Sequence, residues 1–422
     1  MEEKKEEKHV ETEQPKERSY HFIKETIKPA PVDKKQIVIR ASLLTGGAIL
    51  FGVVAAVTFF LVRPLFEKEE PERVAIETQE SPTPTPAASP APGTEKTDES
   101  LSVAEYKELH QQLGEISRKT QKSLVTVKGI TSIADWFDTY ESQRQMAGTI
   151  IAKNEEEIYI LTEYRGVEQV DRIQVVFCDG SMVDARYQKH DPNTGLAILK
   201  VPVSSLSSQT REQIQVAEFG NSNMIRQGEP IMALGSPMGY PDSVSLGTVT
   251  SVNNRMSTVD NEYSMVATDI LGTSEGSGVL VNLDGQVVGV IKQSYQGESN
   301  RNIVTGLPIT QLTDLLDTLS NNGELLYVGI KGQEVTETIS EKTGMPVGVY
   351  VDSVETDSPA MAAGIQPGDV LTKIGKEGIH TPGQYQEQLK KYKGGQKISI
   401  TGMRKGNEGY VEIIFDVTIG VL

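Results

Sequence analysis

From residue 124 onward the chain breaks into short apolar runs, each too short for a helix and each closed by turn residues. The runs at 124–127, 148–152, 158–162, 173–177 and 196–201 are separated by Gly, Asp, Asn and Pro. Many short strands with turn chemistry between them close into a β-barrel or stack as a sandwich. A mainly β fold is therefore expected. One helix should precede it, since Val103, Tyr106, Leu109, Leu113 and Ile116 recur at the spacing of a single helix face.

The N-terminal quarter reads differently. Residues 1–40 are charged, with little apolar periodicity, and are expected to form a disordered cytoplasmic tail. Residues 41–62 carry no charge and are long enough to cross ~30 Å of hydrocarbon as one transmembrane helix. The charged stretch before them is too long for a signal peptide, and no Ala-x-Ala site follows Val62, so an uncleaved anchor is expected. Lys24, Lys28, Lys34, Lys35 and Arg40 precede the span, while Arg63, Lys68 and Arg73 follow it among many glutamates. That imbalance leaves the N-terminus in the cytoplasm and the rest outside the cell membrane. Residues 63–100, rich in Pro, Thr, Ser and Glu, have the composition of an extended linker.

Charge narrows the function. A net charge of −17 and a pI near 4.9 argue against nucleic-acid binding, which needs clustered basic surface. Cys178 is the single cysteine, so no intrachain disulfide forms. With no histidine next to it in sequence, it is expected to be a buried structural thiol. No metal or cofactor motif is present, and neither is expected.

Ordered motifs then carry a resemblance. Ser123–Val127 looks like a first barrel strand of HtrA-type trypsin-like serine proteases, and Ala147-Gly148-Thr149-Ile150-Ile151 resembles their Gly-Ser-Gly-x-Ile-Ile strand. Asp191–Lys200 is similar to the segment around the catalytic aspartate. Ala233–Gly239 resembles the Ala-Leu-Gly-x-Pro-x-Gly turn. Thr268-Asp269 and Leu280–Val290 bracket the nucleophile loop. The matches come in family order. They imply a trypsin-like double β-barrel over residues 101–320, and the family's habit implies a homo-oligomer, a trimer.

Catalysis in that family needs a serine, a histidine that takes its proton and a carboxylate that orients the histidine. The resemblance puts Arg165 at the histidine position and Gly195 at the aspartate position. A guanidinium stays protonated and cannot act as a base, and Gly195 has no side chain. In Ser274-Glu275-Gly276-Ser277-Gly278-Val279, counting back from Leu280 places Gly276 at the serine position, while counting forward from Thr268 places Ser277 there. Arg165 either fills the vacated cleft and pairs with Glu275, or is an exposed remnant. His190, beside Asp191, is expected at an exposed strand end. The Trp136-Phe137 pair is either an interaction surface or a packed loop anchor.

Residues 326–420 change pattern again. Ser358-Pro359-Ala360-Met361-Ala362-Ala363-Gly364-Ile365-Gln366-Pro367-Gly368-Asp369-Val370-Leu371 is close to the signature of a PDZ domain. Tyr327-Val328-Gly329-Ile330 resembles its carboxylate-binding loop, and residues 381–392 its second helix. The resemblance implies an α+β module that adds an extended peptide to a sheet edge and captures the terminal carboxylate with the amides of Val328, Gly329 and Ile330. A membrane-anchored pseudoprotease that binds polypeptide C-termini or unfolded segments, in protein quality control or regulation, is the expected function. The alternative is an active endopeptidase with Ser277 as nucleophile.

Overall fold

The computed structural model describes residues 102–134, 139–293 and 302–422. The expected tail, membrane span and linker, and Trp136-Phe137, lie outside them. Among the described residues no helix is long and apolar enough to cross a membrane.

Helix α1 (Val103–Gln121) opens with a reciprocal cap: the Ser102 hydroxyl accepts the Glu105 N–H, and the Glu105 carboxylate accepts the Ser102 N–H. Leu113 and Ile116 pack on the core below, but Val103, Tyr106 and Leu109 are exposed. Only the C-terminal half of the apolar stripe is therefore used.

Two closed six-stranded barrels follow. The first comprises β1 (Leu124–Ala134), β2 (Thr139–Lys153), β3 (Glu157–Glu163), β4 (Arg172–Val176), β5 (Met182–His190) and β6 (Leu196–Pro202), in the order β1-β2-β3-β6-β5-β4. The second comprises β7 (Pro230–Ser236), β8 (Ser243–Thr258), β9 (Asn261–Leu271), β10 (Ser277–Val281), β11 (Val287–Ile291) and β12 (Ile303–Pro308), in the order β10-β11-β12-β9-β8-β7.

Strand alternation divides the side chains between two cores. On β7, Ile231 and Ala233 fill the second barrel, while Met232 and Leu234 face the layer between the barrels. Leu196 and Ile198 of β6 join that layer, and Leu199 and Val201 fill the first barrel. Each such Leu, Ile or Val contributes roughly 1.5–3 kcal/mol through burial. Helix α2 (Ile309–Ser320) closes the inter-barrel layer with Leu312, Leu316 and Leu319.

The single thiol departs from expectation: Cys178 is exposed. Phe177 takes the inward position at the end of β4, so the next residue faces out. Partial burial and the neighbouring Asp179 carboxylate push the thiol pKa up, which disfavours a thiolate.

The C-terminal domain pairs β13 (Leu326–Tyr327) with the last strand of the chain and builds a sheet from β14 (Ile330–Val335), β15 (Gly348–Val354), β16 (Val370–Ile374), β17 (Glu377–Gly378), β18 (Lys397–Lys405) and β19 (Tyr410–Thr418); the last strand is β20 (Gly420–Val421). Helices α3 (Pro359–Ala363) and α4 (Pro382–Leu389) pack against it. The motif at 358–371 is legible as local physics. Ser358 caps α3, Pro359 occupies its first turn, and Gly364 ends it in the left-handed region. Buried Asp369 then accepts the Gln366 N–H and both arms of the Arg404 guanidinium, at 2.6 and 2.7 Å.

Candidate functional site

The cleft between the barrels is lined by the end of β3, the loop before β10 and the end of β11. Arg165 lies in a single 3-10 turn, Tyr164–Gly166, just after β3. Its Nε donates to Glu163 Oε2 at 2.9 Å and its Nη1 to Glu275 Oε2 at 2.8 Å. The same guanidinium donates to the backbone carbonyls of Ser274 (3.1 Å) and Gly276 (3.4 Å). Of the two sequence readings, the pairing with Glu275 is present, on a side chain that is 32% exposed.

Behind Arg165 lies a buried ion pair that sequence reasoning missed. Lys292 Nζ donates to Glu163 Oε2 at 3.0 Å, and both side chains are almost wholly enclosed. The residues are 129 positions apart, and no local motif links them. A Cβ built on Gly195 would stand 3.1 Å from Lys292 Nζ, so the ammonium sits where a side chain at 195 would project. Gly195 also adopts φ +67°, a conformation that strains an L side chain.

The loop before β10 is equally committed. Gly276 is the residue whose carbonyl meets Arg165, and its N–H donates to the Thr273 carbonyl at 2.8 Å. A Cβ at 276 would stand 2.4 Å from the Pro237 carbonyl oxygen. Ser277 already belongs to β10, is 1% exposed, and its Oγ accepts the Ala147 N–H at 3.0 Å. The space beside it, between Thr162, Glu163 and Val290, amounts to about 10 Å³, room for one water at most.

No described histidine hydrogen-bonds Ser277. His190 is half-buried rather than exposed: its ring stacks on Tyr164, with centroids 3.6 Å apart, and its Nδ1 lies 2.5 Å from the Tyr187 hydroxyl. Burial pushes its pKa below the ordinary value, against the opposing charges of Asp191 and Glu168. Asp191 is buried and spends its carboxylate on the turn to β6, accepting the N–H groups of Asn193 and Thr194 and the Thr194 hydroxyl. Among the described residues no acidic, histidine or cysteine cluster is placed to hold a metal.

The second site is the loop at 327–330. Three of its four residues present amides to one carboxylate, and that carboxylate belongs to the second barrel. Asp260 Oδ2 accepts the N–H of Val328 (2.7 Å) and Gly329 (2.8 Å), and Oδ1 accepts that of Ile330 (3.2 Å). The Tyr385 hydroxyl on α4 donates to Oδ1 at 2.8 Å. Tyr327 offers no N–H to Asp260; its backbone pairs with Gly420. Gly329 holds φ +97°, and a Cβ there would stand 2.3 Å from the Ser358 Cβ, so glycine is required for the loop to curl around an acceptor.

Comparison with known proteins agrees with this geometry. Residues 146–290 match the trypsin-like peptidase domain family and residues 307–414 the PDZ domain family. The chain is 29% identical over 279 residues to the probable periplasmic serine endoprotease DegP-like of Pseudomonas fulva (strain 12-X), covering 65% of this chain and 56% of that one. It is 28% identical over 280 residues to the serine protease Do-like HtrB of Bacillus subtilis (strain 168), covering 62% and 59%. The chain thus spans a little over half the length of these relatives. The solved structure of HtrA-type protease AlgW with decapeptide shares the fold, with a TM-score of 0.56 and 21% identity over 73% of this chain and 98% of that one. The chain shares with these proteins a trypsin-like double barrel followed by a PDZ domain.

Proposed function

We propose that this HtrA-type chain is a pseudoprotease that binds polypeptide C-termini or unfolded segments through its PDZ domain without cutting them, in quality control or in regulation of an active relative. Arg165 carries the reading. It stands where the family places its general base, and a guanidinium cannot accept a proton at neutral pH. Gly195 supplies no orienting carboxylate, and the Lys292 ammonium lies where one would project. We take Gly276 as the nucleophile position, which leaves no hydroxyl there, and its N–H is already spent on Thr273. Ser277 is enclosed and holds the Ala147 amide.

Support for peptide binding comes from the PDZ match, from the intact Val328-Gly329-Ile330 amide cradle and from the decapeptide that accompanies AlgW in the similar solved structure. The uncharged run 41–62 and its cation imbalance support a single-pass anchor with the folded domains outside the cytoplasm. A homo-oligomer, trimeric as the resemblance implies, belongs to the same reading and is tested by light scattering.

Residues 98–422 form one compact unit and suit a direct test. The purified unit is incubated with unfolded casein and, separately, with a fluorophosphonate probe. Neither cleavage nor labelling is expected. Casein cleavage with the probe on Ser277 would establish the active-endopeptidase alternative instead.

A further inference from the structure

The carboxylate cradle of the PDZ domain is already filled by the protein's own barrel. Asp260 forms the tip of the β8–β9 hairpin together with Val259, at φ +57°, a left-handed conformation that aspartate tolerates in tight turns. Its side chain meets four donors: the amides of Val328, Gly329 and Ile330 and the Tyr385 hydroxyl. Its backbone behaves like that of a bound peptide. The Asp260 N–H donates to the Ile330 carbonyl at 2.7 Å, and Val259 forms an antiparallel bridge with Lys331. Farther along the same strand, the Ser257 hydroxyl donates to the Gly332 carbonyl, and Arg255 pairs with Glu334 and with Glu262. The stretch from Arg255 to Asp260 therefore lies beside β14, joined to it by one antiparallel bridge, with a carboxylate at its leading end. An extended peptide with a free C-terminus engages such a groove in the same way.

We infer that Asp260 is a built-in occupant of the PDZ carboxylate loop, so that a polypeptide C-terminus binds only by displacing the β8–β9 hairpin from the groove. The inference rests on the proposed peptide-binding function and adds its control: ligand binding is coupled to release of the PDZ domain from the second barrel. Chemistry favours this occupant over a merely packed side chain. The Asp260 carboxylate is buried, and a buried carboxylate persists only where it is richly hydrogen-bonded. Here both oxygens are served by the loop that a ligand would use. Room for withdrawal exists beside the turn, in a cavity of about 400 Å³ lined by Asp260, Tyr263, Gln311, Leu389 and Leu422. Because a groove open only a fraction of the time weakens apparent affinity by that fraction, freeing it strengthens binding.

The test uses the full chain and two readouts. The first is hydrogen exchange at the Val328, Gly329 and Ile330 amides without ligand, in the wild type and in Asp260→Ala. Exchange there is expected to accelerate at least about tenfold in the variant; unchanged exchange overturns the inference. The second is binding of a fluorescent ten-residue peptide library with random apolar C-termini, beside the same library amidated at the C-terminus. Asp260→Ala is expected to bind the free-carboxylate library at least about tenfold more tightly than the wild type, and the amidated library weakly. Equal affinity of wild type and variant overturns the inference. Faster amide exchange with no peptide bound by either protein upholds self-occupancy and removes the peptide-binding function itself. Should Asp260→Ala fail to fold, Arg255→Ala, at the exposed rim of the same strand, replaces it, with about a threefold gain expected in both readouts.

Discussion

The Glu163 carboxylate and the Lys292 ammonium, 129 positions apart in sequence, meet at 3.0 Å with side chains no more than 5% exposed. Arg165 leans on the same carboxylate from the solvent side. Removing one member of a buried pair leaves an uncompensated charge and typically costs 3–5 kcal/mol. Lys292→Met is therefore expected to lower the unfolding free energy by about 3 kcal/mol in urea titrations, with part of the loss recovered when Glu163→Gln is added. A loss under about 1 kcal/mol for the single variant would show that Arg165 alone satisfies Glu163.

On the proposed pseudoprotease reading, placing the triad residues at 165, 195 and 276 should not produce proteolysis. An aspartate at 195 would have to take up φ +67° and would lie beside Lys292, which would capture its carboxylate. A serine at 276 would press its Cβ within 2.4 Å of the Pro237 carbonyl oxygen. The combined variant Arg165→His, Gly195→Asp, Gly276→Ser is expected to lose stability and to cleave no casein above background. Loss of triad members costs on the order of 10⁴–10⁶ in rate, so any recovered cutting is easy to detect, and its appearance would refute this account of the cleft.

Ser277 is expected to matter for folding and not for chemistry. Ser277→Ala strips the acceptor from the buried Ala147 N–H, at a cost of about 1–3 kcal/mol. Peptide affinity measured by fluorescence polarisation should stay within twofold of the wild type, roughly the reproducibility of such titrations. A large drop in affinity would tie Ser277 to the ligand site.

His190 sets a pH dependence of known sign. Its folded-state pKa lies below the ordinary value of about 6.5 because burial against Tyr164 disfavours the imidazolium. The unfolded chain therefore takes up the proton first, and stability falls as pH drops from that ordinary value toward the folded one. Above it the contribution is complete and flat. Proton NMR should give a His190 midpoint below 6.5, and His190→Gln should flatten the stability profile in that window. A midpoint at or above 6.5 contradicts the burial argument.

How much of this is written in the chain depends on the range of the interaction. The strand runs, the capped helix at 358–364 and the Gly329 loop depend on neighbours in sequence, and their residues announce them. The pairing of Arg165 with Glu275 is offered by the sequence as one of two readings and is present. Cys178 differs from its expected place by one step of strand alternation, with Phe177 taking the inward turn. His190 reads as exposed in sequence because nothing local shows that Tyr164, on a different strand end, covers it. Glu163–Lys292 and Asp260 with its amide cradle stay invisible there, since each joins segments 68 to 129 residues apart whose meeting is decided by barrel closure.

Both barrels close on themselves, which leaves open margins in the described residues on the short β13–β20 pair and on the larger PDZ sheet, at β14 and β19. An unpaired strand margin is a template on which other chains can add. Along β14 that margin is covered at Ile330 and Lys331 by the hairpin tip. On the inference above, the hairpin thus shields this part of the strand margin as well as plugging the loop. Whatever draws it out trades a covered edge for an adhesive border, so the opened form should be most durable where a ligand strand immediately takes the vacated seat.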